Sequence, residues 1–415
     1  MLVVSHGEST LESLEQQGDG RLRARNVLAM CVAQLFGMVG YSAIAALLPD
    51  LINLWSLTHT QAGWLTAVYF VGYVASVLFI VSLTDRFAAK TIYLLGTMIT
   101  AIAYAAFALC DSFSVGLLLR VLAGVGLAGT YMPGLRALSD RAQGTKRSRV
   151  VTAYTVTFIV GAALSFVLAG EIAQTYGWRA SFAAAAASAL LALLIAWRWM
   201  PADKPSAASG QFSIWDLGSV LRNRQAMAYV LAYAAILSAS AGARQWIVVF
   251  LNYCASLPPA VMWSSGVFLT AAFASLLGVP AGIMGNELSL RFGLRRTGIA
   301  IFIAGALVSV FFGLIVAQPF AIVVAVTLLC TLVMQGNVSN LTAGTIDAAD
   351  AQHMGATMAV HSCIGFSGGI VGPIVFGLVL DTMGADNALG WGLAFGTCGL
   401  ACLIGAGALY KLAKN

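Results

Sequence analysis

Long apolar stretches alternate with short polar segments along almost the whole chain. Each stretch is about 20 residues long, enough for a helix to cross the roughly 30 Å hydrocarbon core of a bilayer. Because lipid offers the backbone no hydrogen bonds, such stretches must be helical. The pattern predicts twelve membrane-spanning helices, numbered span 1 to span 12 in chain order, at residues 27–50, 60–82, 91–110, 114–137, 151–174, 180–200, 226–251, 261–284, 297–316, 319–342, 355–380 and 388–410.

The longest internal polar segment, residues 201–225, follows span 6 and contains Pro201, Pro205 and Gly210. It divides the chain into a tail (1–26), a first six-helix half (27–200), a linker (201–225) and a second six-helix half (226–415). The turns after spans 2 and 8 both contain an Arg-Phe pair. Two related halves around a central cavity are typical of secondary transporters. We therefore predict an all-α membrane protein of this architecture.

Composition excludes a soluble domain, because 60% of residues are hydrophobic and 9% are charged, against roughly 25% charged in soluble proteins. The seven Cys are scattered, and none forms a C-x-x-C pair. We interpret them as packing residues and expect no metal site and no cofactor. The phosphate-binding pattern G-x-x-x-x-G-K-[ST] is absent from the sequence, which argues against a nucleotide-driven pump.

The basic residues predict how the chain lies in the membrane. All but three of the 22 Lys and Arg lie at alternate ends of the spans, on the side of the N-terminus, and Arg179 lies on the opposite side. The positive-inside rule then predicts a multi-pass protein of the inner (cytoplasmic) membrane with both termini in the cytoplasm. The net charge of +6 serves this orientation, so we expect the bilayer, not nucleic acid, as partner. We expect a monomer.

Three short motifs link the chain to a known family. The turn after span 2 keeps Leu83, Asp85, Arg86 and Lys90 of the pattern G-x-L-x-D-R-x-G-R-K. It has Val81, Ala88 and Ala89 where the pattern has its two glycines and its second arginine. Span 4 carries R-x-x-x-G-x-G from Arg120, and span 6 begins with G-W-R-x-x-F at residues 177–182. In this order and at these spans, the motifs resemble the major facilitator superfamily.

The resemblance implies a substrate cavity lined mainly by spans 1, 4, 7 and 10, and a cytoplasmic gate that includes Asp85 and Arg86. It does not extend to the family's antiporter signature, a G-x-x-x-G-P run in span 5, where Gly161 and Gly170 stand without a Pro. This difference disfavours a drug/proton antiporter.

The two remaining basic residues, Arg120 in span 4 and Arg244 in span 7, lie inside apolar stretches at similar predicted depths. A central Arg costs about 2.5–3.5 kcal/mol on insertion, so it must face the protein interior or a watery cavity. We find no Asp or Glu at mid-depth in any span. Two guanidinium groups without acidic partners predict an anion site, because each can bind a carboxylate or phosphate through two parallel hydrogen bonds. Arg120 could instead be structural or take part in proton coupling.

Further polar and aromatic residues could complete this site. The candidates for substrate contact, each of which could equally join helices, are Gln34, Tyr41, Tyr131, Tyr233, Gln335 and Trp246. His361 in span 11 could help to couple protons, although a packing role explains it as well. Glu171 could pair with Arg179 as a structural contact or a gate.

These features favour a secondary transporter, not an enzyme, that moves a small organic anion by alternating access. Protons are the expected coupling ion, and import is favoured over export. The alternative is a proton-driven exporter of amphipathic or drug-like compounds, which the aromatic and Met content would suit. A membrane-embedded enzyme is a weaker alternative, because Asp347, Asp350 and His353 share one loop without a metal pattern.

Overall fold

The structure is a computed structural model that describes residues 24–201, 217–257 and 264–413. Within these ranges the chain is almost entirely helical and contains no β-strand, which confirms the all-α class. The helices are α1 (Ala24–Gly37), α2 (Ala43–Leu54), α3 (His59–Arg86), α4 (Ala89–Ala108), α5 (Phe113–Ser139), α6 (Gly144–Tyr176), α7 (Trp178–Trp199), α8 (Leu217–Arg222), α9 (Arg224–Ser256), α10 (Ser264–Leu276), α11 (Gly278–Phe292), α12 (Leu294–Val310), α13 (Phe312–Ile315), α14 (Phe320–Ala348), α15 (Met354–Met383) and α16 (Ala388–Leu412).

Among the described residues, ten helical segments are long and apolar enough to cross a membrane, and they correspond to predicted spans 2–8 and 10–12. Span 8 is formed by α10 and α11, which follow each other closely. The residues predicted as spans 1 and 9 each fall on two shorter helices, α1 with α2 and α12 with α13. Of the predicted tail and linker, residues 1–23 and 202–216 lie outside the described part.

Span 1 is not the continuous helix that its hydropathy predicts, because it is interrupted between α1 and α2. At the interruption Gly40 lies against the ring of Tyr104, where a Cβ atom would overlap the ring. The backbone N–H of Ser42 donates to Ser165 Oγ (2.9 Å), and Ser165 Oγ donates to the carbonyl of Val39 (2.6 Å). A break at membrane depth requires other groups to satisfy the backbone, and a serine from α6 does so here.

Contacts between the halves repeat with the six-span period. In the first half α3 (span 2) packs against α15 (span 11), and α6 (span 5) packs against α10 of span 8. A shift of six spans converts the pair of spans 2 and 11 into the pair of spans 8 and 5, so the two contacts are equivalent. The α3–α15 pair is close-packed, since a Cβ atom at Gly377 would overlap the carbonyl oxygen of His59. Small residues allow this approach between membrane helices.

The turns before α7 and α16 also repeat between the halves. Gly177 and Gly384 have φ of 84° and 88°, a left-handed conformation that glycine adopts without steric cost. Both residues end the fifth helix of their half and lead into the sixth. The repeat therefore extends from helix packing to local backbone geometry, as expected for two related six-helix halves.

Candidate functional site

A cavity of about 140 Å³ lies beside α9, mostly within the second half. Tyr41 and Phe70 line it from the first half, and α9, α10, α13, α14, α15 and α16 line it from the second. Most of its wall is aliphatic or aromatic, with a few polar groups. This is the usual composition of a small-molecule site, in which apolar groups bury the ligand and a few polar groups orient it.

Among the described residues, Arg244 is the one cationic side chain in the wall of this cavity. Its Nη2 donates a hydrogen bond to the hydroxyl of Tyr41 (3.1 Å), and its guanidinium carbon lies 5.2 Å from the centre of that ring. Within the described residues, no carboxylate lies within ion-pair distance of Arg244. None of the five N–H donors of its guanidinium is therefore paired with an acid in the described structure, and an anion in the cavity could bind them.

Arg120 occupies a different environment from Arg244. It is 2% exposed and does not line the cavity. Its guanidinium carbon lies 4.4 Å from the ring centre of Tyr69, close to the hydroxyl of Tyr104, while its Nε and Nη1 have no hydrogen-bond partner. Tyr41 and Tyr69 meet edge to face with ring centres 5.7 Å apart. The two arginines thus flank a pair of tyrosines and do not share one pocket.

The spans that line the cavity also differ from those that the resemblance implied. Spans 1, 7 and 10 contribute to its wall, but span 4 contributes no lining residue in the described structure. The reason is that α5 packs closely on α3, where a Cβ atom at Gly124 would overlap the carbonyl oxygen of Tyr69. Phe70 of α3 lines the cavity, whereas no residue of span 4 in the described structure does.

Among the other predicted substrate contacts, Gln335 lines the cavity and Trp246 does not. The Trp246 indole is fully buried, its Nε1 donates to the carbonyl of Pro373 (3.1 Å), and its ring stacks on Phe376 with centres 5.6 Å apart. A buried indole usually finds a hydrogen-bond partner of this kind. Trp246 therefore joins α9 to α15 in this structure.

Gln34 and Tyr131 lie together in the first half, away from the cavity. Gln34 Oε1 accepts a hydrogen bond from the Tyr154 hydroxyl (2.7 Å), and Tyr131 stacks on Tyr154 with ring centres 5.9 Å apart. The hydroxyl of Tyr131 lies 3.5 Å from Thr155 Oγ1. In this conformation both residues connect α6 to its neighbours.

Tyr233 and His361 form a second buried pair, located between α9 and α15. Their rings stack with centres 4.1 Å apart. His361 is 3% exposed, with Nδ1 3.0 Å from Thr345 Oγ1 and Nε2 3.4 Å from Thr342 Oγ1. Both ring nitrogens therefore have hydroxyl partners on α14. These hydrogen bonds hold α14 and α15 together.

The described structure contains no ion pair between Glu171 and Arg179. The Nη2 of Arg179 pairs with Asp111, in the turn between α4 and α5, and its guanidinium lies over the ring of Trp178. Trp178 packs on Phe107 of α4, which brings the start of α7 beside Asp111. Of the predicted cytoplasmic gate, Arg86 is exposed at the end of α3, and the Asp85 side chain lies outside the described part of the structure.

A hydrogen-bond network connects the two halves at the start of α3, which we call the His59 end. Hydropathy and motifs did not indicate this network. The Asp381 carboxylate, near the end of α15, accepts hydrogen bonds from the backbone N–H groups of His59 (2.7 Å) and Thr60 (2.8 Å) and from the Thr60 hydroxyl (2.6 Å). It also lies 2.9 Å from His59 Nδ1. A carboxylate at a helix N-terminus is favoured by the unpaired N–H groups and the helix dipole.

The same end of the bundle is closed by aromatic packing next to the cavity. Trp246, two residues beyond Arg244, lies with its ring centre 5.9 Å from that of His59. Further along the α3–α15 contact, Phe70 and Tyr73 pack on Phe366 with ring centres 6.2 and 4.7 Å apart. Phe70 and Phe366 also line the cavity, so this contact between the two halves forms part of its wall.

Comparison with models of protein families shows which family the chain belongs to. Residues 30–373 match the family model described as Major Facilitator Superfamily. The chain belongs to the major facilitator superfamily. This confirms the resemblance seen in the motifs, and it agrees with the helical fold and with a function in transport instead of catalysis. As a member of the superfamily it is a multi-pass membrane transporter.

Several superfamily transporters are similar to this chain at low identity. The niacin transporter NiaP of Acinetobacter baylyi is 24% identical over 148 residues, 36% of this chain and 34% of that protein. A Bacillus subtilis NiaP, whose name refers to niacin and nicotinamide, is 21% identical over 353 residues, 83% and 85% of the two chains. The 4-hydroxybenzoate transporter PcaK of Pseudomonas putida is 24% identical over 192 residues, which are 45% of this chain and 42% of that protein. The first and third matches thus span less than half of those relatives' lengths.

The fold is also similar to solved superfamily structures. A bacterial homolog of the human lysosomal transporter Spinster, in an inward-facing and unoccupied conformation, has a TM-score of 0.77 at 16% identity. The match covers 94% of this chain and 97% of that one. At this identity the similarity shows the superfamily fold and carries no information on the substrate.

Proposed function

We propose that this superfamily member imports a small organic anion, specifically a carboxylate on a single aromatic ring, by alternating access. The observation that carries the proposal is the position of Arg244. Among the described residues, this side chain has no acidic partner, and it faces a mostly apolar cavity in the second half whose wall Tyr41 and Phe70 of the first half complete. Such a site suits a molecule with one anionic group on an apolar body, because the guanidinium binds the carboxylate while the wall buries the ring.

The size of the cavity supports the single-ring class. Its volume is about 140 Å³, and an apolar protein cavity of about 150 Å³ is known to bind benzene. The names of the relatives refer to niacin and to 4-hydroxybenzoate, which are single-ring carboxylates, and one name also refers to nicotinamide, a neutral amide. Larger amphipathic compounds, the substrates of the alternative exporter, would require the cavity to expand.

The Arg244–Tyr41 hydrogen bond gives the substrate a way to influence both halves. It joins α9 of the second half to the region between α1 and α2 in the first. A carboxylate bound to Arg244 would share the guanidinium with the Tyr41 hydroxyl, and so would change a contact between the halves. A ligand drives a conformational change only through such a difference in interaction between the states.

We further propose that protons drive the import and that the His59 end faces the outside. The charge pattern supports this orientation, with both termini in the cytoplasm and the protein in the inner membrane of a bacterium. In this orientation the Asp381 network closes the outer side of the bundle, which corresponds to an inward-facing conformation. The proposed unit is a monomer with no cofactor.

Uptake of radiolabelled niacin or benzoate into proteoliposomes tests the proposal, with an inward proton gradient and with the gradient collapsed. For Arg244→Met we expect binding about 30-fold weaker or worse, because loss of a buried charge partner costs about 2–5 kcal/mol. Arg244→Lys should retain part of the affinity, since it keeps the charge but not the planar guanidinium. Arg179→Met, which removes an exposed Arg, is the matched control.

Two outcomes would contradict the proposal. If Arg244→Met imports carboxylates with the affinity of the parent protein, Arg244 is not the anion site. If the parent protein imports no single-ring carboxylate but confers resistance to amphipathic compounds when it is expressed, the exporter is the correct alternative. Uptake that is independent of the proton gradient would separately reject proton coupling.

A further inference from the structure

Four Ser and Thr hydroxyl groups line the cavity, and three of them are already hydrogen-bonded. Ser275 donates to the carbonyl of Ala271 (3.0 Å), Thr327 to that of Val323 (2.8 Å) and Thr331 to that of Thr327 (3.0 Å). Each bond runs to the residue four positions earlier, the common arrangement for a hydroxyl inside a helix. In an apolar wall this arrangement satisfies the hydroxyl without a ligand.

Ser240 is the exception among them. Its Oγ is buried and has no hydrogen-bond partner in the described structure, although the residue is helical and lines the same cavity. A buried hydroxyl without a partner is unfavourable, and most such groups in proteins are satisfied. An unsatisfied hydroxyl in a cavity wall is therefore available to hydrogen-bond a water or a ligand atom.

The position of Ser240 relative to Arg244 indicates what that ligand atom is. The two residues are four positions apart on α9, so they lie on one face of the helix, separated by about 6 Å along its axis. A carboxylate bound to Arg244 would direct its aromatic ring along this face. A polar atom para to the carboxylate, such as the hydroxyl of 4-hydroxybenzoate, lies at a similar distance from it, whereas the meta ring nitrogen of niacin lies closer.

We infer that Ser240 forms a second polar subsite, which hydrogen-bonds a heteroatom on the ring of the substrate. The inference rests on the proposed function and makes it narrower, because the substrate class becomes ring carboxylates with an additional hydroxyl group or ring nitrogen. A serine hydroxyl can donate to a pyridine nitrogen and can accept from a phenol. A purely hydrocarbon ring would leave Ser240 Oγ without a partner.

Equilibrium binding of three acids to the purified full-length protein tests the inference. Benzoate has no additional polar atom, 4-hydroxybenzoate has a hydroxyl group and niacin has a ring nitrogen. We expect the parent protein to bind at least one of the latter two about tenfold more tightly than benzoate, the upper range for one net hydrogen bond. Ser240→Ala should bind benzoate as the parent protein does and lose this preference.

Ser275→Ala is the matched control, because it removes a hydroxyl from the same wall whose hydrogen bond is internal. It should keep the preference of the parent protein. The inference is overturned if Ser240→Ala keeps the preference, or if it weakens binding of all three acids equally, as a structural role would. If the parent protein binds the three acids with equal affinity, the subsite is wrong and the proposed function stands. If it binds none of them, the proposed carboxylate class fails and the subsite with it.

Discussion

The Nη2 atom of Arg244 lies 3.1 Å from the hydroxyl oxygen of Tyr41, and this hydrogen bond joins residues 203 positions apart in the two halves of the transporter. It is a contact between the halves at the cavity itself. Tyr41 also packs edge to face on Tyr69 and on Phe158, so its ring is held in place. The hydroxyl consequently presents a fixed acceptor to the guanidinium.

Removing that acceptor should weaken substrate binding moderately. For Tyr41→Phe we expect KM for niacin to rise by about three- to tenfold, the effect of one net hydrogen bond that orients Arg244. Uptake kinetics in proteoliposomes measure it. Tyr131→Phe is the control, since its hydroxyl lies beside Thr155, away from the cavity, and should leave KM unchanged. An unchanged KM in Tyr41→Phe would mean that Arg244 is oriented by other contacts.

The two arginines should differ in their effect on binding, because one lines the cavity and the other does not. For Arg120→Met we expect the affinity for niacin to remain close to that of the parent protein. The melting temperature should be equal or higher, since apolar replacement of a buried ionic group is often neutral or stabilising. Arg244→Met should lose the affinity. Calorimetric titration of both variants makes the comparison, and equal losses would place Arg120 in contact with the substrate.

The Asp381 network should stabilise closure of the His59 end. Asp381→Asn removes the charge that accepts hydrogen bonds from His59 and Thr60, and charge-assisted bonds of this type contribute about 1.5–3 kcal/mol each. We expect faster hydrogen–deuterium exchange in the first turn of α3 and a lower melting temperature. Asp386→Asn, in the following turn where Asp386 bonds to Asn387, should change neither. Unchanged exchange in Asp381→Asn would show that the aromatic contacts alone hold this end closed.

His361 should contribute to packing, not to proton coupling. Both of its ring nitrogens have Thr partners on α14, and its ring stacks on Tyr233. For His361→Asn we expect a loss of stability of about 1–3 kcal/mol, because buried hydrogen-bonding groups are left without partners. Uptake with and without a proton gradient should keep the ratio of the parent protein. A ratio that falls to one in a folded variant would instead make His361 a coupling residue.

The membrane class and most of the span positions follow from local sequence, because a helix in lipid satisfies its backbone hydrogen bonds within its own segment. The family followed from motifs around Asp85, Arg120 and Gly177. The sequence also indicated two arginines within apolar stretches, since charged residues stand out there. Hydropathy could not indicate the interruption of span 1, whose backbone is satisfied by Ser165, more than 120 positions away.

The tertiary structure alone decided which of these residues meet. Arg120 and Arg244 have similar predicted depths, yet the close packing of α5 on α3 leaves Arg120 over Tyr69, outside the cavity. Asp381 reaches the start of α3, and Arg179 pairs with Asp111 instead of Glu171. Local hydropathy sets where each helix lies along the chain, whereas contacts between side chains hundreds of residues apart depend on how the helices rotate and pack. The sequence by itself therefore determined a superfamily transporter with two arginines inside apolar helices, and the packing of the two halves decided that Arg244, Tyr41 and Ser240 face one cavity.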